Sequence, residues 1–211
     1  MTDKNVEPIV AGGSPVRAMA GVDEHLVERR IRSDIVYEGH FLKVRRDEIL
    51  LPSGKTASRE HVVHPGAVMI VPVTDDGRLV VERQHRYPLD QVLLEFPAGK
   101  LDPGETSLHC AQRELREETG FRAREWAYAG HLHNAPAYSN EFIDIWLARG
   151  LVAGAQELDD GEFLEVLSMT ESELVAQSAS GQLTDAKTMV ALLKLRLWRD
   201  GAWTPAWQAG E

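Results

Sequence analysis

Residues 99–121 read Gly99-Lys-Leu-Asp102-Pro-Gly-Glu105-Thr-Ser-Leu108-His-Cys110-Ala111-Gln-Arg113-Glu114-Leu115-Arg116-Glu117-Glu118-Thr119-Gly120-Phe121. Asp102 followed by Glu105 supplies helix-start signals, and Gly120 suits the left-handed residue that closes a helix, so the spacing predicts a helix over about 105–119. With Glu114 as zero on a 3.6-residue wheel, Glu117 falls at roughly −60° and Glu118 at roughly +40°. The three carboxylates therefore share a face. Leu108, Ala111 and Leu115 adjoin them, whereas His109, Gln112 and Arg116 lie on the far side, so the acidic face borders the core. The small side chains of Cys110 and Ala111, one turn earlier, leave room for a ligand or a loop to approach beside Glu114.

These glutamates occupy the last turns of the helix, where the macrodipole is negative and where they also repel one another. Divalent cations would relieve both strains. The alternative for a glutamate-rich helix is a solvated charged face tied by an i,i+4 pair between Arg113 and Glu117. The preceding segment favours the metal reading. Phe96-Pro97-Ala98-Gly99 follows an apolar strand and reads as a tight glycine-rich loop whose backbone carbonyls and amides can join the carboxylates around metal and phosphate. Ligation by oxygen alone suits Mg2+ or Mn2+.

Working outward, strands are expected at Ala67 to Val73, buried on both faces, and at Arg78 to Arg83, joined by an Asp75-Asp76-Gly77 turn. Others are expected at Val92 to Phe96, Trp126 to His133, Phe142 to Ala148 and Phe163 to Leu167. Thr170 with Glu173 forms a capping box for a second helix, and Asp185 precedes a third running to about Trp198. Strands with inserted helices indicate an α/β fold with a mixed sheet covered on both faces. Before this main domain, taken as 65–205, residues 33–64 read as a small β unit with strands at Ile35 to Tyr37, Phe41 to Leu51 and Arg59 to Val63. Residues 1–32 read as a flexible extension in which Val22 to Arg30 could form a short helix. Trp203 and Trp207 in the tail are either anchors or partly exposed.

The chain carries 33 acidic against 23 basic side chains, a formal net charge of −10, which argues against binding long polyanions such as nucleic acid. A small phosphorylated substrate remains compatible if cations reverse the potential inside one cleft. Cys110 is the single cysteine, so no intrachain disulfide can form, and its helical setting suggests packing rather than nucleophilic chemistry. No apolar run is long enough to span a bilayer and no signal peptide is evident, which reads as a cytoplasmic protein with no membrane partner. His131 and His133 alternate on a strand and would share a face, but no third soft ligand is near for zinc, and ordinary packing is the expectation.

Gly99, Glu105, Arg113, Glu114, Leu115, Glu117, Glu118, Gly120 and Phe121 resemble the complete Nudix box. The resemblance implies the Nudix fold, an α/β/α sandwich, with metal held by Glu114, Glu117, Glu118 and the carbonyl of Ala98. It also implies that Arg113 orients Glu117 and that Glu105 supports the site. The flanks resemble the ADP-ribose pyrophosphatase branch. Matching segments are Arg59-Glu60, His64 to Val68, Arg83 to Tyr87, Leu94 to Gly99, Ser139-Asn140-Glu141 and Gly181 to Thr188, with Pro136-Ala137 where that branch has Pro-Gly.

That branch implies a homodimer in which Arg59 and Glu60 reach the adenine or ribose of the substrate, Arg86 contacts phosphate and Glu141 lines the substrate site. A mobile loop would supply a general base, here Glu162 with Glu165 as second choice, and neighbours Phe163 and Val166 would anchor it. The expected reaction is metal-dependent hydrolysis of a nucleoside diphosphate sugar, ADP-ribose, to AMP and ribose 5-phosphate, with Glu162 or a helix glutamate such as Glu117 taking the proton from water. The rivals are a pyrophosphatase for GDP-mannose or ADP-glucose, and a non-catalytic ADP-ribose sensor.

Overall fold

The computed structural model describes residues 23–210, which divide into two compact units. The first takes the described residues up to His64 together with Ala135–Asn140, and the second takes Pro65–Asn134 and the chain from Glu141.

In the first unit, β1 (Arg29–Glu38), β2 (Lys43–Leu50) and β3 (Thr56–Val63) form an antiparallel meander. The strand at β1 starts earlier than the sequence suggested, so residues 29–32 are not part of an extension, and the short helix expected over Val22 to Arg30 is only a 3-10 turn at Glu24–Leu26. The reason is pairing: Arg29 and Arg30 lie in register with Leu50 and Ile49, and the ladder overrides weak local helical preference. Residues 1–22 of that extension lie outside the described residues. Segment 135–140 departs from the expected boundaries by joining this unit. Val62 donates its N–H to the Tyr138 carbonyl at 2.8 Å, and the Asn140 amide clasps both the N–H and the carbonyl of His64.

The second unit is built on a mixed sheet of order β10-β5-β4-β9-β8-β11. Its strands are β4 (Ala67–Val73), β5 (Leu79–Arg86), β6 (Gln91–Glu95), β7 (Ala98–Lys100), β8 (Phe121–Leu132), β9 (Ile143–Ala153), β10 (Leu164–Met169) and β11 (Gln208–Ala209). β4 and β9 are parallel and the other pairs antiparallel, with β6 on β5 and β7 on β4. Every residue of β4 is buried, as its continuous apolar run requires.

Helix α1 (Ser107–Thr119) covers one face, packing Cys110, Ala111 and Leu115 against Val68, Ile70, Trp126 and Trp146. Helices α2 (Glu171–Ala179) and α3 (Ala186–Arg199) cover the other, where Met69, Val71, Leu79, Val81 and Phe96 meet Leu174, Ala191 and Leu195. Period-two alternation thus assigns each strand residue to one helical layer or the other. Both C-terminal helices start as their caps dictate: Thr170 and Glu173 close a capping box, and Asp185 accepts from the Thr188 N–H at 2.9 Å. Trp207 packs edge-on to Trp198 at 5.2 Å, under the Arg149 guanidinium at 4.0 Å, so the tail is anchored. Among the described residues no helix is long and apolar enough to cross a membrane.

Candidate active site

α1 begins two residues later than expected. Thr106 is the N-cap, accepting from the His109 N–H, while Asp102 and Glu105 instead close the turn before it through the Asp102 N–H to the Glu105 carboxylate. Gly120 ends the helix at φ 75, where an added Cβ would also meet the Gly154 carbonyl at 2.8 Å.

The segment expected to be an open loop is in part a strand. Ala98, Gly99 and Lys100 pair with Met69, Val68 and Ala67, which brings this backbone directly against α1. The small residues of α1 therefore admit a piece of chain: the buried Cys110 thiol donates to the Lys100 carbonyl at 3.2 Å, and burial pushes its pKa up, away from nucleophilic use. The contact is closest at Gly99, where a Cβ would stand 1.9 Å from the Glu114 carboxylate. Only a residue without a side chain lets that carboxylate lie on the strand.

Arg113 organises the acids. Its guanidinium donates to both oxygens of Glu105 at 2.9 and 3.0 Å, to Glu114 at 2.7 Å and to Glu117 at 3.1 Å. Glu105 is held below the usual carboxylate range by that pairing. Glu118, buried, accepts from the Ala98 N–H at 2.9 Å. Among the described residues no three His, Cys, Asp or Glu side chains already converge on one ion-sized position, because Glu114 and Glu117 are turned to Arg113 and Glu118 to the strand amide.

The electrostatics nonetheless suit a cation. Burial, with the charges of Glu117 and Glu162 adding to it, lifts Glu114 to about 7 against the pull of Arg113. Glu118 stands well above the ordinary range through burial first, then Glu82, Glu114 and Glu162. A set of hard carboxylate oxygens destabilised by their own proximity fits a divalent metal of the Mg2+ type.

Glu162 and Glu165 part company. Gln84 donates to Glu162 at 3.2 Å, and Glu162 acts on Glu82, Glu114 and Glu118 alike. Glu165 lies opposite Arg83 in the ladder and pairs with it on an exposed surface. Phe163, expected to anchor the loop, is instead exposed just before β10. Arg86 grips Glu95 with two bonds of 2.7 Å, and Lys187 bonds the same carboxylate. Burial raises Glu95, but the two cations outweigh it and hold it below the usual range.

Glu141 sits half-buried ahead of β9, its carbonyl 3.3 Å from His133 Nδ1. His131 and His133 stack edge-on, and His131 Nδ1 lies 3.4 Å from the Tyr128 hydroxyl, the packing role expected of them. Arg59 and Glu60 belong to the other unit, where Arg59 pairs with Glu28 and Glu60 with Arg46.

Sequence reasoning missed Glu82, Glu95 and Lys187. An acidic residue interrupting an apolar strand, as in Val80-Val81-Glu82 and Leu93-Leu94-Glu95, was the available signal.

Comparison with known proteins gives a consistent answer. The chain is 36% identical to an ADP-ribose pyrophosphatase of Bacillus subtilis (strain 168), across 82% of this chain and 94% of that one. It is 34% identical to a methanol dehydrogenase activator of Bacillus methanolicus, across 81% and 93%. A crystal structure of an ADP compounds hydrolase superposes with a TM-score of 0.74 at 26% identity, covering 84% of this chain and 97% of that one. The nucleoside diphosphate sugar hydrolase N-terminal domain matches residues 28–62, and the NUDIX domain matches residues 63–192. The chain belongs to the Nudix family.

Proposed function

We propose that this Nudix protein hydrolyses the diphosphate bond of ADP-ribose to AMP and ribose 5-phosphate with Mg2+ or Mn2+. The observation that carries the reading is the seating of Glu114 on Gly99, which fixes a carboxylate face of Glu114, Glu117 and Glu118 beside the Ala98 backbone. The relatives named for ADP-ribose hydrolysis support the substrate.

Glu114, Glu117, Glu118 and the Ala98 carbonyl would hold the cation. It would supply Lewis-acid polarisation of the diphosphate and a lowered water pKa. Arg113 keeps Glu114 and Glu117 oriented, with Glu105 holding its other edge. Glu162, steadied by Gln84, takes the proton from the attacking water. Arg86, fixed in position by Glu95 and still more than a third exposed, offers its remaining N–H groups to a phosphate oxygen.

The test is AMP release from the full chain across ADP-ribose, ADP-glucose and GDP-mannose, with and without Mg2+. Cation-dependent AMP release with the highest kcat/KM on ADP-ribose is expected. A higher kcat/KM on another sugar nucleotide would establish the second reading, which the relatives named for ADP-sugars and ADP compounds favour.

The N-terminal unit exposes Ile31, Ile35, Tyr37 and Phe41, each at 48% or more, an apolar set suited to a second copy of the chain. In a homodimer Arg59 and Glu60 would exchange Glu28 and Arg46 for the substrate's adenosine. Light scattering that finds only monomer at assay concentrations would remove this part.

A further inference from the structure

Glu82 is fully buried, and among the described residues neither of its carboxylate oxygens has a hydrogen-bond partner. Such a group is expensive: a buried carboxyl without partners forfeits its hydration for nothing, and in β5 it follows Val80 and Val81, residues that fill the same strand at no such cost. Its neighbours do not explain it. Glu95 lies directly across the ladder, but the cations that could serve both, Arg86 and Lys187, are bonded to Glu95. Val166 is its partner on the other side.

Alternation settles where Glu82 faces. Leu79 and Val81 pack under α2 and α3, so Val80, Glu82 and Gln84 turn toward the layer of α1. There Glu82 is the charge that acts most strongly on Glu118, and Glu162, held by Gln84 two residues along the same strand face, acts on both. An unpaired buried acid thus stands behind the glutamate that borders the strand amide of Ala98.

We propose that Glu82 is a further acidic group of the cation site, sharing with Glu118 the charge that holds the innermost ion. The inference rests on reading the α1 glutamates as a cation site. It gives a physical reason for a carboxylate at a position where valine would pack: the partner it lacks within the protein is the ion.

The test uses the full chain as wild type, Glu82→Gln and Glu82→Val, with Mn2+ binding followed by the EPR signal of free Mn2+ and Tm recorded without cation. Glu82→Val should raise the cation-free Tm, since an unpartnered buried acid is removed, whereas Glu82→Gln, which leaves an unpartnered amide in its place, should hold it about level. Both should also bind Mn2+ about 10- to 100-fold more weakly, the range for groups that support a metal site. Unchanged Mn2+ affinity in a folded variant, while wild type binds and Glu118→Gln does not, overturns the role of Glu82 alone. A cation-free Tm that falls in both variants also overturns it, by revealing a structural role. Absence of Mn2+ binding by wild type overturns the underlying cation site and this inference with it.

Discussion

Replacing Gly99 with alanine adds one methyl group at the tightest point of the site. The new Cβ would stand 1.9 Å from Cδ and Oε1 of Glu114, and ordinary contact begins at 3.4 Å, so the carboxylate must retreat by about 1.5 Å. The strand cannot give way instead, because Gly99 is in register with Val68 of the fully buried β4. What yields is the far end of the Glu114 side chain, and its 2.7 Å bond from Arg113 is lost with it.

A displaced side-chain end is cheap for the fold and costly for the chemistry. Overpacking of this kind costs about 1 kcal/mol, which for a chain of this size lowers Tm by roughly 2–4 °C. A misplacement of about 1 Å in a reacting assembly costs on the order of 100-fold in rate. The expected outcome is therefore a kcat at least about 100-fold down with Tm nearly held. Steady-state AMP release at saturating Mg2+, alongside thermal melts, measures both. A near-normal kcat in the folded variant would refute the idea that the seating of Glu114 on Gly99 positions the cation.

Other substitutions separate the roles assigned around this centre. Glu162→Gln should lower kcat by about 100-fold or more, as loss of a general base does, whereas Glu165→Gln should stay within about fivefold because an exposed pair is worth no more than ~1 kcal/mol; equal losses would contradict the division between them. Arg113→Lys keeps charge but cannot reach Glu105, Glu114 and Glu117 together, so kcat should fall about 10- to 100-fold, and full activity in that variant would show the triple contact to be dispensable.

Without cations, Glu114 near 7 and Glu82 near 8 keep protons that the unfolded chain releases around 4.5. The native state then binds more protons than the unfolded state across that window, so stability should fall as pH rises through it, and saturating Mg2+ should flatten the fall. Urea midpoints at a series of pH values check this, and a midpoint that climbs with pH would reverse the sign. Trp207→Ala should cost about 2 kcal/mol, read by urea unfolding, since the ring packs on Trp198 and under Arg149; no change would mean the tail contributes nothing.

The acidic helix, its end at Gly120, the capping box at Thr170 and the buried run of β4 were legible because each is set by neighbours a few residues away. A shared face for Glu114, Glu117 and Glu118 follows from helical period alone. The start of α1 lies later than Asp102 predicts, since Asp102 and Thr106 are both residue types that cap helices and only the turn closed between Asp102 and Glu105 decides for Thr106.

What tertiary structure alone decided depends on residues far apart in the chain. Lys187 meets Glu95 across 92 positions and Gln84 meets Glu162 across 78, and no periodicity links such pairs. The strand at Ala98–Lys100 exists because β4 offers it an edge, the turn 135–140 joins the N-terminal unit because Val62 and Asn140 bind it there, and Glu82 becomes significant only when the sheet turns it toward Glu118. Local chemistry supplied the acids; the fold decided which of them face one another and which have a partner within the protein.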